Sequence, residues 1–497
     1  MGEVPERTAE ALGGRGAEPS SGASPRRAVV IGGSMAGLLA ARVLADHYAR
    51  VTVVERDRLP ESADPRPGVP QSRHTHVLVT GGQQALESLL PGLVGELREA
   101  GAPWVGVPRD LVQWQAGAWY RRTPATAHLL TGSRPLTEWL IRRRVLADPR
   151  VETAQGTEVV GLEGDAARVG GVVVRERGSG ASQGLRSLIA DLVVDASGRS
   201  SKAPGWLAAI GAEPPREETL DTGLAYASCV YRAEADDSTD SLGYYIVPNP
   251  GQVHGAVVLP VEDGRTLVTL SGLRGGEPPT DHDGFTDFAR RLPDPLVHRW
   301  LVKAEPVSAV HGFRNTANIR RRYDRSGPEG FLATGDALCA FNPVYGQGMA
   351  VAALNAVALR EALGSRRTPG TRHVQRAVFR SSQQAWDISA GSDKTMPGAT
   401  GNAAASRAVD RPVNWYLARV QRRAAADPLV GAAFRSALSL ASPLTSLFAP
   451  RIARAVRSEG RPAPHPTRRG GGRPRAARLR REQHGPVNQF TGPRSGT

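Results

Sequence analysis

Asp336, Pro343, Gly346 and Gly348 lie in one stretch, GDALCAFNPVYGQGM (residues 335–349), between the apolar segment FLAT and a helix-like run, AVAALNAVALREAL, that ends in Gly364. An aspartate at the end of a short buried strand can accept charge-assisted hydrogen bonds from a polyhydroxylated ligand, and the ribityl chain of FAD is one. The glycines let backbone amides approach a flat ring, and the proline fixes one wall. The first turn of the following helix, around Met349 to Val351, leaves N–H groups unpaired and a partial positive charge at the loop, which suits the anion of a reduced flavin. Gly335, Asp336, Pro343, Gly346, Gln347, Gly348 and Met349 are therefore expected to hold FAD, with Pro343 and Tyr345 as weak candidates for the wall of the flavin site. The competing reading is an ordinary strand–turn–helix corner of an α/β protein.

A second glycine-rich element stands near the start. The apolar run AVVI (residues 28–31) is followed by Gly32, Gly33, Ser34, Met35, Ala36 and Gly37 and then by an amphipathic run, LLAARVLADHY. This is the pattern of the first βα turn of a dinucleotide fold, with Ser34 in place of the middle glycine. A second strand, VTVVE, ends in Glu55, at the distance expected of an acid that binds the adenosine ribose, and Arg56 follows it. An acid there favours an adenosine without a 2′-phosphate. Between the two glycine-rich elements, ADLVVDASGRSS carries a buried run into Asp195, Gly198 and Arg199. Asp195 is expected either at the turn under the diphosphate or as scaffold.

Those elements must be positioned by a chain of 497 residues, long enough for two or three domains. Residues 1–25 are expected to be a disordered tail. Residues 26–205 form the first part of a nucleotide-binding domain, with about 101–130 assignable to either neighbour. Residues 206–330 form an inserted antiparallel sheet, 331–370 return to the nucleotide domain, 371–457 are helical and 458–497 form a second disordered tail. The insert carries strand-like runs such as GAVVLPVEDGRTLVTLSGL, with turns at Glu262-Asp263-Gly264 and Gly275-Gly276.

The formal charge of +15 invites a nucleic-acid reading. Nine arginines and two acids fall in residues 459–497, however, so nearly half of the excess sits in a Pro- and Gly-rich tail too poor in apolar residues to fold alone. No nucleic-acid partner is expected. With only Cys229 and Cys339, and neither an apolar stretch of membrane-spanning length nor a signal sequence, the expected home is the reducing cytoplasm. His74 and His76 are not accompanied by a third ligand cluster, and no metal is expected.

Taken together, RPGVPQSRHTHVLVTGG, SRPLTEWL, LVVDASGR, DTGLAYASCVYRA, LPVEDGR, SGLRGGEPP and AFNPVYGQGM make residues 26 to 365 resemble the class A-type FAD-dependent monooxygenases. The resemblance is strongest to the flavin epoxidases of polyether ionophore pathways. It implies an α/β fold with a Rossmann-like FAD-binding domain of the aromatic hydroxylase and squalene epoxidase type, an inserted antiparallel-sheet substrate domain and a C-terminal helical region. It also implies that Gly32, Ser34 and Gly37 line the pyrophosphate, that Glu55 binds the adenosine ribose, that Arg134 approaches the ribityl or phosphate region, and that Arg73 lies near the flavin. The implied reaction uses FAD, O2 as co-substrate and NADPH or NADH, acting directly or through a partner flavin reductase. A flavin C4a-hydroperoxide would pass one oxygen atom to an alkene of a large apolar polyketide polyene, with no protein nucleophile.

Three other functions compete. Aromatic hydroxylation on the same scaffold would need a route for a phenolic proton. Flavin-dependent halogenation is disfavoured, because its Trp-x-Trp-x-Ile-Pro string is absent and no lysine precedes Lys202. A non-catalytic flavoprotein using its basic tail to bind a nucleic acid or a partner predicts that removing residues 459–497 abolishes function.

Overall fold

The computed structural model describes residues 26–178, 184–232, 241–365, 369–405 and 411–457; the tails expected at 1–25 and 458–497 lie outside them. The fold is the expected α/β one. Its centre is a five-stranded parallel sheet in the order Phe331–Ala333, Leu192–Asp195, β1 (Arg27–Ile31), β2 (Arg50–Glu55), Val151–Gln155. In register, Val29 pairs with Val193 on one side and Thr52 on the other. Helices and a three-stranded antiparallel sheet (Thr157–Gly164, Val169–Glu176, Arg186–Ile189) pack against it, so its inner strands are rich in Val, Ile and Leu, while the edge strand Val151–Gln155 is partly exposed. Helix α1 (Met35–Leu44) follows β1 and packs against the helix Gly348–Gly364, and both contribute buried Met, Val, Leu and Ala to the largest core.

The second large element is an eight-stranded sheet. Its central strands Ala225–Arg232, Arg265–Gly272, Gly255–Pro260 and Gly243–Ile246 are antiparallel neighbours. Asp263 and Gly264 both have positive φ, 61° and 64°, and close the tight hairpin between Gly255–Pro260 and Arg265–Gly272. The expectation of a purely antiparallel sheet needs one correction. Leu111–Gln115 pairs parallel with Gly243–Ile246, Leu111 opposite Gly243. That strand arrives from far away in the chain, and without a hairpin nothing forces an antiparallel direction. It turns back through Ala118–Trp119, so part of residues 101–130 builds this sheet. Helix Ala203–Ala209, which straddles residue 206, sends Trp206 and Leu207 into the nucleotide-side core.

The C-terminal region is helical: Thr371–Ser381, Gln383–Asp393, Arg411–Ala424, Pro428–Leu438 and Pro450–Arg457. Asp427 caps the fourth of these, its Oδ1 accepting from Leu429 N at 3.0 Å and Val430 N at 3.1 Å. The last three helices enclose a small core of their own, which Tyr120 joins from the strand region. Among the described residues no helix is long and apolar enough to cross a membrane.

Candidate FAD and substrate site

β1 ends at Gly32, whose φ of 102° swings the chain towards β2, where its N–H donates to Val54 O at 2.8 Å. A Cβ on Gly37 would lie 1.8 Å from the Gly32 carbonyl oxygen, so only glycine lets α1 start this close to the strand. Glu55, at the end of β2, accepts from Gly33 N at 2.8 Å and from Asp57 N at 2.9 Å. Ser34 occupies the N-cap of α1, yet its hydroxyl does not cap the helix: it donates to Glu138 Oε2 at 2.6 Å.

Glu138 and Arg134 are one turn apart on the helix Arg134–Leu146, and they anchor a buried charge cluster. Arg134 Nη2 donates to Ser34 Oγ at 2.9 Å and reaches Glu138 at 3.3 Å. Arg66 donates to Glu138 through Nε at 3.0 Å and to Asp57 through Nη1 at 2.9 Å, and stands 3.2 Å from Glu55. Burial opposes the charge on Glu138, but the Arg134 and Arg66 guanidiniums prevail and hold its carboxyl below the usual range. The i, i+4 spacing of Arg134 and Glu138 was visible in SRPLTEWL; the partnership of Glu138 with Ser34 and Arg66 was not.

At the other end, Thr334 follows the strand Phe331–Ala333, and Gly335 to Ala337 make one 3-10 turn. The Asp336 side chain is half-buried on the cavity wall and hydrogen-bonds no described residue. Pro343 to Tyr345 form a second 3-10 turn, and Gly346 (φ 65°) leads through Gln347 into the helix that opens at Gly348. The chain tethers this loop tightly. Tyr345 OH donates to Asp393 Oδ1 at 2.7 Å, Asn342 Nδ2 and Asn318 Nδ2 donate to Asp393 Oδ2 at 2.9 and 2.6 Å, and Tyr245 OH donates to Val344 O at 2.9 Å. Burial pushes the carboxyl of Asp393 up, despite these donors.

A single cavity of about 580 Å³ connects the two glycine loops. On its wall stand Gly32, Ser34, Met35, Ala36, Glu55, Arg56 and Arg134 from the first part of the chain, and Gly335, Asp336, Pro343, Tyr345 and Gly346 to Met349 from the last. Gly33 and Gly37 lie behind the wall, bonded to Glu55 and packed under Gly32 respectively. Asp195 is fully buried beneath the loop Ala196–Ser200 and accepts from Ser197 N and Oγ at 3.0 and 2.6 Å and from Ser201 Oγ at 2.5 Å. It shapes a loop whose residues line the cavity. Arg73 is exposed, 3.2 Å from His311 Nε2, and does not line it.

Past the flavin loop the wall turns apolar, with Leu111, Leu129, Ile246, Val257 and Leu259 from the sheet region and Leu438 from the C-terminal helices. The polar exceptions on the sheet side include His74 and His76. His74 Nδ1 is 2.8 Å from Ser228 Oγ, which is 2.6 Å from Thr269 Oγ1, itself 2.8 Å from Thr75 Oγ1. Burial, then the nearby His76, His311 and Arg73, push His74 down to about 3; burial and Arg134 push His76 down to about 4. Both imidazoles are therefore neutral near pH 7. Ser228 is fully buried with no carboxylate in its chain of contacts, so this is no hydrolytic triad.

The residues fit FAD. Two buried side-chain atoms on the wall, Arg66 Nη2 and Gln347 Oε1, have no partner among the described residues, and the Gly348 position faces open space. A donor at one end, an acceptor at the other and the free Asp336 carboxylate between are complementary to a dinucleotide with a hydroxylated linker. Such a cavity defines a flavoprotein of the FAD-binding class. Residues 26–372 match the family described as the FAD binding domain. Over 395 residues, 75% of this chain and 81% of the relative, the sequence is 37% identical to Protein Rv3254 of Mycobacterium tuberculosis (strain ATCC 25618 / H37Rv). Two solved structures share the fold: p-nitrophenol 4-monooxygenase PnpA from Pseudomonas putida DLL-E4 (TM-score 0.58, 16% identity, 84% of this chain and 98% of that one), and the flavin-dependent brominase Bmp2 (TM-score 0.56, 18% identity, 73% and 85%). The chain belongs to the FAD binding domain family, and FAD is its cofactor.

Proposed function

We propose that this protein is an FAD-dependent epoxidase that transfers one oxygen atom of O2 to an alkene of a large apolar natural product, a polyketide polyene, using electrons from NADPH or NADH delivered directly or by a flavin reductase. The observation that carries this reading is the apolar chamber that continues the FAD cavity, roofed by the eight-stranded sheet and closed by C-terminal helices. The resemblance of AFNPVYGQGM, GVPQSRHTH and SGLRGGEPP to strings of the polyether epoxidases supports alkenes as the acceptors.

Bound FAD, once reduced and combined with O2, supplies an electrophilic oxygen. The chain's own residues do the rest. Met349 and its neighbours, in the first turn of the helix Gly348–Gly364, would favour the anionic reduced form of a flavin held at this loop. Leu111, Val257, Leu259 and Leu438 would exclude water and hold an apolar chain in the chamber. Alkene epoxidation requires no base to deprotonate the substrate, and burial, which pushes His74 down to about 3 and His76 to about 4, leaves both imidazoles weak bases.

One observation favours a second reading, hydroxylation of a phenol: the hydrogen-bonded run His74, Ser228, Thr269, Thr75 brings His74, Thr75 and Thr269 to the cavity wall, where they could bind a phenolic hydroxyl. The deciding experiment supplies purified FAD-loaded protein with NADPH or NADH, with and without a flavin reductase, and offers farnesoic acid, methyl farnesoate and a set of simple phenols. One added oxygen on the alkenes by mass spectrometry is expected. Oxygen added to phenols alone would replace epoxidation by hydroxylation, and a protein that cannot be reconstituted with FAD would remove both readings.

A further inference from the structure

Arg435 stands in the wall of the apolar chamber with 7% of its surface exposed. Arginine is rarely this buried without a carboxylate. Here the guanidinium donates from Nε to Thr126 Oγ1 at 2.9 Å, and the one titratable group acting on it among the described residues is the buried phenol of Tyr120. Burial, opposed only by that phenol, lowers the affinity of the guanidinium for its proton, the reverse of what an ion pair does. The same chamber displays Gln113, Gln115 and Gln421, and Tyr120 OH donates to Gln115 Oε1 at 3.3 Å. Among the described residues no acid lines the cavity beside them.

The cation is held in place by the fold. Gly431, one turn before it on the helix Pro428–Leu438, leaves room for the guanidinium, since a Cβ there would meet Arg435 Nη1 at 3.0 Å. One turn after it, Leu438 O accepts from Gln347 Nε2 at 2.9 Å, and Ser439 O accepts from Gly81 N at 2.8 Å. Arg435 is thus fixed a single helical turn from the contact with the flavin loop.

We propose that Arg435 anchors the carboxylate of an amphiphilic substrate, so that the enzyme takes apolar carboxylic acids in preference to their neutral esters, amides and alcohols. A carboxylate supplies the charge that the buried guanidinium lacks and can take both of its Nη groups. The glutamines add donors around the head group, and the apolar wall takes the chain. The proposal rests on the reading that this chamber holds the substrate.

The test measures binding, separately from turnover. Farnesoic acid and methyl farnesoate are titrated into full-length, oxidised, FAD-loaded protein, and affinity is read from the perturbation of the flavin absorption band. The acid is expected to bind wild type at least about tenfold more tightly than the ester, the effect of one charged hydrogen-bonded contact. R435Q should lose that preference while keeping its affinity for the ester, and R435K should retain part of it. Equal affinities in wild type, or an undiminished preference in R435Q, would overturn the anchor; if R435Q fails to hold FAD, the wild-type comparison decides alone. Oxygenation of the ester with no preference for the acid removes the anchor and leaves the monooxygenase reading standing. An acid preference abolished in R435Q, with neither compound oxygenated, does the reverse.

Discussion

The two ends of the cavity handle buried charge in opposite ways. Around the first glycine loop, Arg66, Arg134, Glu55, Asp57 and Glu138 are each less than a tenth exposed and interlocked by hydrogen bonds. At the far end, the buried cation of Arg435 bonds Thr126 in a cavity that glutamines and apolar side chains also line. Buried ionic groups hold their place when every charge is matched, and an unmatched one is costly. The first end is therefore complete before any ligand arrives apart from one guanidinium nitrogen, as suits a cofactor that stays. The second end gains most when a ligand completes it, as suits a substrate that comes and goes.

The largest expected effect breaks the matched end. Glu138→Gln removes the carboxylate shared by Arg66 and Arg134. Arg66 keeps Asp57 and Glu55, whereas Arg134 retains only the Ser34 hydroxyl. Breaking a buried pair of this kind should cost roughly 3–5 kcal/mol of stability. Denaturant unfolding followed by tryptophan fluorescence measures it, and an unchanged midpoint would mean that the cluster contributes little to the fold.

Asp336→Ala comes next and acts on the ligand instead of the fold, because its carboxylate bonds no described residue. The loss should be about 1.5–3 kcal/mol of FAD binding, roughly ten- to a hundredfold, with unfolding of the apoprotein unchanged. Calorimetric titration with FAD distinguishes the two substitutions. If E138Q weakens FAD without touching stability, or D336A does the opposite, the division between a finished end and a ligand-completed one fails.

The first end was legible in the sequence because it is local. An apolar strand, a glycine turn, a helix and a strand ending in Glu55 follow one another without interruption, and each element's period announces it. The same holds for Asp336 to Met349. What escaped is what packing brings together across the chain: Ser34 with Glu138, 104 residues apart, and Thr126 with Arg435, 309 apart. No spacing rule links such pairs. Asp195 illustrates the converse. A strand-end aspartate before a glycine points towards a ligand in one dimension, while in three its carboxylate is used up by Ser197 and Ser201. Leu111–Gln115 could not be assigned its partner strand for the same reason, since its pairing is set by a long connection and not by a turn.

Acidification probes the roof between the two ends. His74 and His76 are neutral when folded, at about 3 and 4, and ordinary, near 6.5, when unfolded. As pH falls below 6.5 the unfolded chain binds protons that the folded one refuses, so stability is full above 6.5 and declines towards 4, by about 2 kcal/mol at pH 5 from His74 alone. His74→Asn, which preserves a partner for Ser228, should roughly halve that decline in denaturant melts between pH 6.5 and 5, His76 supplying the rest. An unaltered slope would show that His74 is not the group being protonated.

The smallest effect is expected at the seam. Tyr345→Phe removes the hydroxyl that ties the flavin loop to Asp393, leaving Asp393 with its two asparagine donors on the other oxygen. Because burial already pushes the Asp393 carboxyl up, the unpaired oxygen can be relieved by taking a proton, which limits the cost to about 1 kcal/mol. FAD should still bind, since both ends remain intact. What loosens is the loop beside the chamber, so under the proposed oxygenation the fraction of NADPH or NADH oxidised without oxygenated product should rise while its total consumption stays near wild type. A variant that loses FAD instead would make the loop part of the first end, and the two regions would have to be redrawn around it.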